Sequence, residues 1–250
     1  MVMEIAGTVA LSRMMALRER MDIAANNIAN MNTTGFKSQT VIMKEDKSDP
    51  TVTGLRPIYN HPISMVEEWG TVRDTRGGVI RQTGNPLDLA LEGKGYFSVT
   101  NANGEDRYTR NGVFQINQDG QLVDLAGQAA QGDGGEINIP AGTTSISIGK
   151  DGTISTPTGV VGKLRVSVFE NEQALIPDGT NGYKLPEGVE AEISGNPRVI
   201  QGAVEQSNVN AVVEMTDMVE IMRQYQTVQN IMQTEHDRLR NSIRTIAKLA

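Results

Sequence analysis

The sequence predicts an α+β protein with long N- and C-terminal helices packed as a coiled-coil-like pair, plus a central antiparallel β domain. The chain has 250 residues, and 23 of its 26 glycines lie between positions 70 and 202, whereas all 12 methionines lie outside 66–214. Glycine is typical of turns and special backbone angles. Methionine is a good helix former that fills irregular contacts between helices. Composition therefore predicts a turn-rich sheet in the middle and helix at both ends.

The N-terminal segment, residues 1–33, shows helical periodicity. Its apolar residues alternate in spacing between three and four positions, which is the pattern of a narrow stripe on one helix face. The stripe consists of Ala10, Met14, Leu17, Met21, Ala24, Ile28 and Met31. The helix is expected to end near 32–35, where an asparagine or a glycine can take the left-handed cap conformation.

The C-terminal segment, residues 206–250, repeats the pattern, and we expect a helix of about 60 Å over 210–249. Its stripe consists of Ala211, Met218, Ile221, Tyr225, Val228, Met232, Leu239, Ile246 and Leu249, with Glu214, Glu235 and Ser242 as polar members. Ser207, Asn208 and Asn210 are candidate N-caps.

Between the helices, composition changes twice. Residues 34–75 are polar, poorly periodic and carry Pro50, Pro57 and Pro62, which predicts an extended linker that could include one strand pair. Residues 76–205 predict a β domain, because short apolar runs alternate with period two and Asn-Gly or Asp-Gly pairs separate them. The clearest runs are Leu87–Leu91, Ile137–Ile139, Ile146–Ile148 and Leu164–Val168.

Composition excludes several functions. The net charge of −7 and the absence of cysteine disfavour nucleic-acid binding, disulfides and thiolate chemistry. The two histidines, His61 and His236, are far apart in sequence. No apolar segment is long enough to cross a bilayer, and we expect no cleaved leader. We therefore predict no enzyme, no catalytic or cofactor-binding residue and no metal site.

Two motifs have ordinary explanations. The segment 93–95, Gly-Lys-Gly, lacks the spacing of a phosphate loop, so we interpret it as a hairpin turn. Four aspartates lie in or beside turns and are expected to bond their own backbone. These are Asp119, Asp124, Asp133 and Asp151; a calcium site or a glycosidase-like carboxylate pair among them stays open as a minor alternative.

The two stripes have two possible partners. A helix with an apolar face most often packs on its own domain, but a strict 3–4 stripe is narrower than such a face and matches another helix. Because one pairing within the chain looks marginal against the entropy of ordering the helices, we expect the termini to be loose in the monomer and to order on assembly with other subunits.

Four collinear segments carry a resemblance to a known family. They are ANNIANMNTTGFK at 25–37, GNPLDLALEGKGYFSV at 84–99, YTRNGVFQINQDGQLVD at 108–124 and SNVNAVVEMTDMV at 207–219. Together they resemble the bacterial flagellar rod and hook proteins. The opening LSRMMALRERMDIAANNIAN, at 11–30, is most similar to proximal rod members. The long basic ending after Arg223 departs from the distal-rod endings, and a distal rod or hook-type subunit is the alternative.

The resemblance implies a structural subunit of the rod in the flagellar basal body. Such proteins pass through the flagellar type III export apparatus without a cleaved signal peptide. They join other copies and neighbouring rod proteins in an axial assembly that crosses the periplasm and transmits torque. Their terminal helices form an inner tube and their β domain lies outside it. No nucleic acid, membrane insertion or small-molecule substrate is implied.

The resemblance also assigns residues to subunit interfaces. These are Met14, Leu17, Met21, Asn26, Asn27, Ile28, Asn30, Gly35, Phe36, Ser207, Asn208, Val209, Met218, Ile221, Tyr225, Val228 and Met232. Capping and solubility are the alternative role of the three asparagines at 26, 27 and 30. The match of Thr33, Gly35 and Phe36 to the turn of the family implies a positive φ at Gly35. Two other functions stay open: a glycan-binding or peptidoglycan-active β domain, and a coiled-coil adaptor or export substrate that never polymerises.

Overall fold

The computed structural model describes residues 2–48, 63–179, 181–186 and 188–249. Side chains are described at 7–44, 70–179, 181–186, 188–242, 244 and 245. The three prolines of the predicted linker and His61 lie outside the described residues, as do the side chains of Ile246 and Leu249. The architecture is α+β, as predicted, with one long helix towards each end of the chain and antiparallel strands between them.

The chain divides into two compact units. The first, here called the helical unit, comprises Met1–Ala29, Gln39–Val72 and Asn210–Ala250, and the second, the β unit, comprises Asn30–Ser38 and Arg73–Val209. The helical unit contains helix α1 (Val2–Ala29), strands β1 (Gln39–Ser48) and β2 (Ile63–Arg73), which pair with each other, and helix α2 (Ala211–Leu249). The strand pair is therefore present in the segment whose sequence allowed one.

The strands of the β unit are short. In chain order they are β3 (Ile80–Gln82), β4 (Leu89–Leu91), β5 (Tyr96–Thr100), β6 (Asp106–Thr109), β7 (Phe114–Ile116), β8 (Leu122–Asp124), β9 (Ala129–Gly132), β10 (Gly135–Glu136), β11 (Ser147–Ile148), β12 (Thr153–Thr156), β13 (Gly159–Lys163), β14 (Val166–Val168), β15 (Ile176–Pro177), β16 (Gly182–Lys184), β17 (Glu192–Ile193), β18 (Val199–Gln201) and β19 (Ala203–Glu205). A 3₁₀ turn covers Glu172–Ala174.

Ten of these strands form the main sheet. Its order is β15-β16-β6-β5-β9-β8-β7, with β10 on β9, β14 on β5 and β17 on β14. β11, β12 and β13 form a second sheet, while β4 pairs with β18 and β3 with β19. In the antiparallel pair of β3 with β19, Gln82 lies opposite Ala203 and Ile80 lies opposite Glu205. The last strand of the β unit is thus paired with its first strand, more than 120 residues away in the chain.

Two apolar clusters fill the β unit. The larger is built from the main sheet, the second sheet and the β4–β18 pair, and it includes Leu89, Val99, Ala130 and Ile154, none of which exposes any surface. The smaller is aromatic: Tyr108 and Phe169 meet edge to face with ring centroids 4.9 Å apart. Edge-to-face contact places the positive rim of one ring on the negative face of the other. The β unit therefore builds its cores from its own side chains.

Two local predictions were wrong. The run Ile137–Ile139 is not a strand; Asn138 forms only an isolated bridge with Gln121, although Ile137 and Ile139 are buried as alternation requires. The segment 93–95 is not a hairpin turn, because it joins β4 to β5, and these strands pair in different sheets. In both places the tertiary pairing of distant segments overrides the local pattern.

Candidate functional site: the terminal helices and their flanking segments

The apolar stripes of α1 and α2 meet each other within the chain. Leu17, Ile221 and Val228 are buried at their centre. Ala10, Met14, Met21 and Tyr225 pack around them. We call this cluster the seam. Six of the residues that the sequence analysis assigned to subunit interfaces, namely Met14, Leu17, Met21, Ile221, Tyr225 and Val228, therefore contact one another inside one molecule.

The two helices run antiparallel. Near the end of α1, the Asn27 side-chain amide donates to Glu214 Oε1 at 3.1 Å, at the start of α2. Near the beginning of α1, Val9 and Ala10 line a groove with Val228 and Ile231 of α2. The 3–4 spacing on both helices keeps their apolar faces in register along this run.

Asn27 fixes the chain that leaves α1. Its side chain is 1% exposed, and its amide group also donates to the Gln39 carbonyl at 2.8 Å while its Oδ1 accepts from the Gln39 amide at 3.0 Å. With these hydrogen bonds the Asn27 side chain holds the first residue of β1 against the helix. Loss of the side chain would leave main-chain groups of Gln39 without these partners, which costs free energy of folding. This geometry gives Asn27 a role within the chain.

The segment after α1 forms the predicted turn, and α1 ends at Ala29. Gly35 has φ +71°, as predicted, and its amide donates to the Glu205 carbonyl at 2.8 Å. A Cβ at this glycine would lie 2.4 Å from the Arg110 carbonyl carbon, so the close approach as well as the angle requires glycine. Phe36 is buried beside it.

The segment before α2 is fixed by Asn208. Its Oδ1 accepts from the Ser38 amide at 2.8 Å, and its amide group donates to the Asp74 and Arg76 carbonyls at 2.8 and 3.1 Å. The Asn208 backbone amide donates to the Phe36 carbonyl at 3.4 Å. This asparagine thus satisfies main-chain groups of two other segments, and it is not the cap of α2.

Asn210 is the cap of α2. Its Oδ1 accepts from the Val212 amide at 3.1 Å and the Val213 amide at 3.4 Å, which are two of the donors that a helix start leaves unpaired. Ser207 Oγ instead accepts a hydrogen bond from the backbone amide of Val209 at 3.2 Å, and Val209 is half-buried. Of the three candidate N-caps, the structure selects Asn210.

The remaining predicted interface residues lie on α1, on α2 or just after α1. Ile28, Met218 and Met232 are half-buried and are not part of the seam cluster. Asn26 is exposed and Asn30 is half-buried, with the Thr33 hydroxyl donating to Asn30 Oδ1 at 3.1 Å. The assignment of the whole set to subunit interfaces stays a prediction.

A buried ionic cluster was missed by the sequence analysis. Glu205, 2% exposed, accepts from Lys37 Nζ at 2.6 Å, and its second oxygen lies 3.0 Å from Arg110 Nε. Lys37 Nζ also donates to the Arg76 carbonyl, and Gly78 donates its amide to Glu205. Burial lowers the pKa of Lys37, against the opposing effect of Glu205. No sequence pattern links the three charges, which lie 73 and 95 residues apart.

A second apolar stripe was also missed. Val212, Met215, Val219 and Met222 follow the same 3–4 spacing along α2 but lie beside the seam, and they are 45–74% exposed. Leu11 and Met15 of α1 are 51% and 66% exposed. The signal was available, since these residues are spaced as regularly as the seam. The seam stripe is longer, and the sequence analysis assigned the helical periodicity of α2 to it alone.

The described part of the chain offers little reactive chemistry. Its acidic and histidine residues form no group of three suited to a metal ion. Asp124 accepts from the Ala126 and Gln128 amides and Asp151 from the Thr153 amide, which are the turn contacts expected of them. Burial raises the pKa of Asp124. Among the described residues, neither helix has an apolar stretch that would carry it across a bilayer.

Three family descriptions match the chain in order along its length. Residues 8–37 match the flagella basal body rod protein family, residues 90–156 the flagellar hook protein FlgE/F/G D1 domain, and residues 200–245 the flagellar basal body rod FlgEFG protein C-terminal family. The first and last matches fall on α1 and α2 with their flanking segments, and the middle match falls on the β unit.

Complete relatives match over nearly their whole length. The flagellar basal-body rod protein FlgF of Caulobacter vibrioides is 35% identical, covering 96% of this chain and 97% of the relative. The chain belongs to the flagellar basal-body rod protein family. The rod protein FlgG of Buchnera aphidicola is 32% identical over 86% of this chain and 89% of the relative, and that of Bacillus subtilis is 30% identical over 93% and 96%.

Family membership confirms the resemblance found in the sequence. As a flagellar basal-body rod protein, the chain is a structural subunit of the rod in the flagellar basal body. It therefore assembles with other rod or flagellar components.

Proposed function

We propose that this rod protein is a subunit of the proximal rod and that its terminal helices hold it in a helical axial assembly with other copies and neighbouring rod proteins. The antiparallel α1–α2 pair, with its 3–4 spaced seam, supports this proposal and supports coiled-coil-like packing of the pair. A rod that transmits torque needs subunit contacts that recur without closing on themselves, and head-to-tail contacts through elongated helices provide them.

The proximal position is supported by the opening of the chain and by the FlgF relative, which covers almost the whole chain. Transport through the flagellar export apparatus and a position crossing the periplasm are further parts of the proposal. So is the division into an N-terminal helix at 1–33, a linker at 34–75, a β domain at 76–205 and a C-terminal helix at 206–250. A purely structural role fits the residues described, whose buried charged groups pair with one another within the β unit, around Glu205 and around Arg107.

Deletion of the protein tests the proposal. A strain that lacks the chain is expected not to swim, and its basal bodies, purified and imaged, are expected to lack a complete rod. The full chain supplied in trans should restore both properties, whereas the chain without residues 1–31 should restore neither, because α2 then has no partner for its seam. A deletion strain that swims and builds complete rods would contradict the proposal.

A further inference from the structure

The α1–α2 pair has an open apolar face in addition to the seam. On α2 this face consists of Val212, Met215, Val219 and Met222, and on α1 of Leu11 and Met15. We call these two groups the α2 patch and the α1 patch. Methionine and valine that stay half exposed on a regular helical spacing form a continuous stripe, which a soluble protein seldom leaves uncovered without a function.

Both patches lie on the same side of the helix pair. At 100° per residue, each patch is centred roughly 120° from the seam of its own helix, in the same rotational sense. Because the helices run antiparallel, equal rotations from the seam bring the two patches to one side of the pair. The two patches therefore share one side of the pair.

The opposite side is different. On α2 it carries the exposed polar residues Thr216, Arg223 and Thr227, and also Val213 and Ile231, which are 52% and 55% exposed. On α1 it includes Asn27, whose side chain is bonded to Gln39, the first residue of β1. The opposite side is therefore mixed and partly occupied by a strand, whereas on the side of the patches the exposed apolar residues of α2 follow one continuous line.

The α2 patch has the composition of an interface. The next three positions at the same 3–4 spacing are Gln226, Gln229 and Gln233. The stripe therefore has no charged residue from Val212 to Gln233. Depletion of charge and enrichment of methionine distinguish the centre of a protein–protein interface from the rest of a surface. The line is suited to packing against another helix.

The two patches lie at different levels along the pair. The α1 patch lies in the half of α1 that runs beside residues 223–231 of α2. The α2 patch lies towards the start of α2, which is beside the end of α1, where Asn27 meets Glu214. In one molecule the patches are therefore displaced along the helix axis, and a second copy shifted along that axis would place unlike patches in contact.

We propose that this face binds a second copy of the same chain, with the α1 patch of one copy on the α2 patch of the next. The inference rests on the proposed rod function and specifies its interface. It assigns the seam residues to the fold of each subunit and assigns Leu11, Met15, Val212, Met215, Val219 and Met222 to assembly. A contact between two different patches repeats from copy to copy and leaves one patch of each kind free at the ends.

The proposed contact is small. Six half-exposed side chains fall well short of the roughly 800 Å² that each partner buries in a stable standard-sized interface. The subunit is therefore expected to be monomeric at micromolar concentration and to add to an assembly only where several contacts act together. This behaviour keeps an exported subunit from polymerising before it reaches its place.

Cysteine cross-linking tests the contact, and the chain has no cysteine of its own. The double variant Met15→Cys/Val219→Cys, treated with a short bismaleimide in isolated basal bodies, is expected to give a product of twice 27.1 kDa. The matched control, Met15→Cys/Thr227→Cys, moves the α2 cysteine to the opposite side and should give at least fivefold less of the cross-linked product. Equal yields, no product, or a product only with a chain of different mass would overturn the proposal.

A charge substitution separates this inference from the proposed function. Val219→Asp is expected to reduce the number of copies in basal bodies at least tenfold and to stop swimming, while the purified variant keeps the helical circular dichroism of the unaltered chain. Thr227→Asp, on the opposite side, should swim normally. If deletion of the chain stops swimming but Val219→Asp swims, the interface is wrong and the rod function stands; if the deletion strain swims, the rod function itself fails.

Discussion

The two units of this rod protein differ in where their apolar residues lie. In the β unit, Leu89, Val99, Ala130 and Ile154 have no exposed surface, and the sheets close around them. In the helical unit, the seam buries Leu17, Ile221 and Val228, yet eight large apolar residues of α1 and α2 remain about half exposed or more. The β unit also exposes single apolar residues, such as Val79, Leu125 and Val160, but its cores close without a partner. Four of the exposed apolar residues of α2 instead follow one helical line, and such a line gains stability from a partner. The comparison favours the helical unit as the one that assembles.

The largest effect is expected from Glu205→Gln in the β unit. The substitution leaves Lys37 and Arg110 buried without their counter-ion, which should lower the free energy of unfolding by about 3–5 kcal/mol. Chemical denaturation followed by near-ultraviolet circular dichroism of the tyrosines measures it. The matched control is Glu92→Gln, which removes an exposed ion pair with Arg198 at 3.7 Å and should change stability by less than about 1 kcal/mol.

The same variant should show a pH dependence. The pKa of Lys37 already lies below its ordinary value of 10.5, and loss of Glu205, which raises it, should lower it further. A base with a lowered pKa in the folded state binds fewer protons there than in the unfolded state, so stability increases as pH rises towards 10.5. The loss of unfolding free energy caused by Glu205→Gln is therefore expected to become smaller at alkaline pH. A loss that stays constant from pH 6 to 10 would show that Lys37 is not responsible.

An intermediate effect is expected in the seam. Leu17→Ala removes a buried side chain and should destabilise the α1–α2 pair by roughly 2–4 kcal/mol. Loss of ellipticity at 222 nm on heating reports it, since α1 and α2 are the long helices of the described chain. Leu11→Ala, at an exposed position of the same helix, should change the monomer by less than about 1 kcal/mol. Equal effects would mean that the seam does not close within the monomer.

The smallest effect is expected at the start of α2. Asn210→Ala removes the acceptor of the Val212 and Val213 amides and should cost about 1 kcal/mol of helix stability. Hydrogen exchange at the Val212 and Val213 amides should accelerate, whereas Asn230→Ala, at an exposed site in the middle of α2, should leave these amides unchanged. Unaltered exchange in Asn210→Ala would show that the cap does not secure the helix start.

The sequence by itself determined the features that depend on neighbours along the chain. Apolar spacing located α1, α2 and the seam between Leu17 and Val228, because side chains three and four residues apart share a helix face. Gly35 was expected to take a positive φ and does so at +71°, because few other residues tolerate that angle. The four matching segments were enough to indicate the family, because each is a run of consecutive residues.

Only the tertiary structure decided what depends on residues far apart in the chain. Glu205 meets Lys37 and Arg110 through strand pairing that no local pattern encodes, and Asn208, expected as a cap, is used by Ser38 and Asp74 instead. The open face also required the structure, since periodicity finds stripes but cannot tell which of two stripes is buried. The physical reason is the same in each case: spacing along a helix fixes directions, whereas burial is fixed by what the rest of the chain places in those directions.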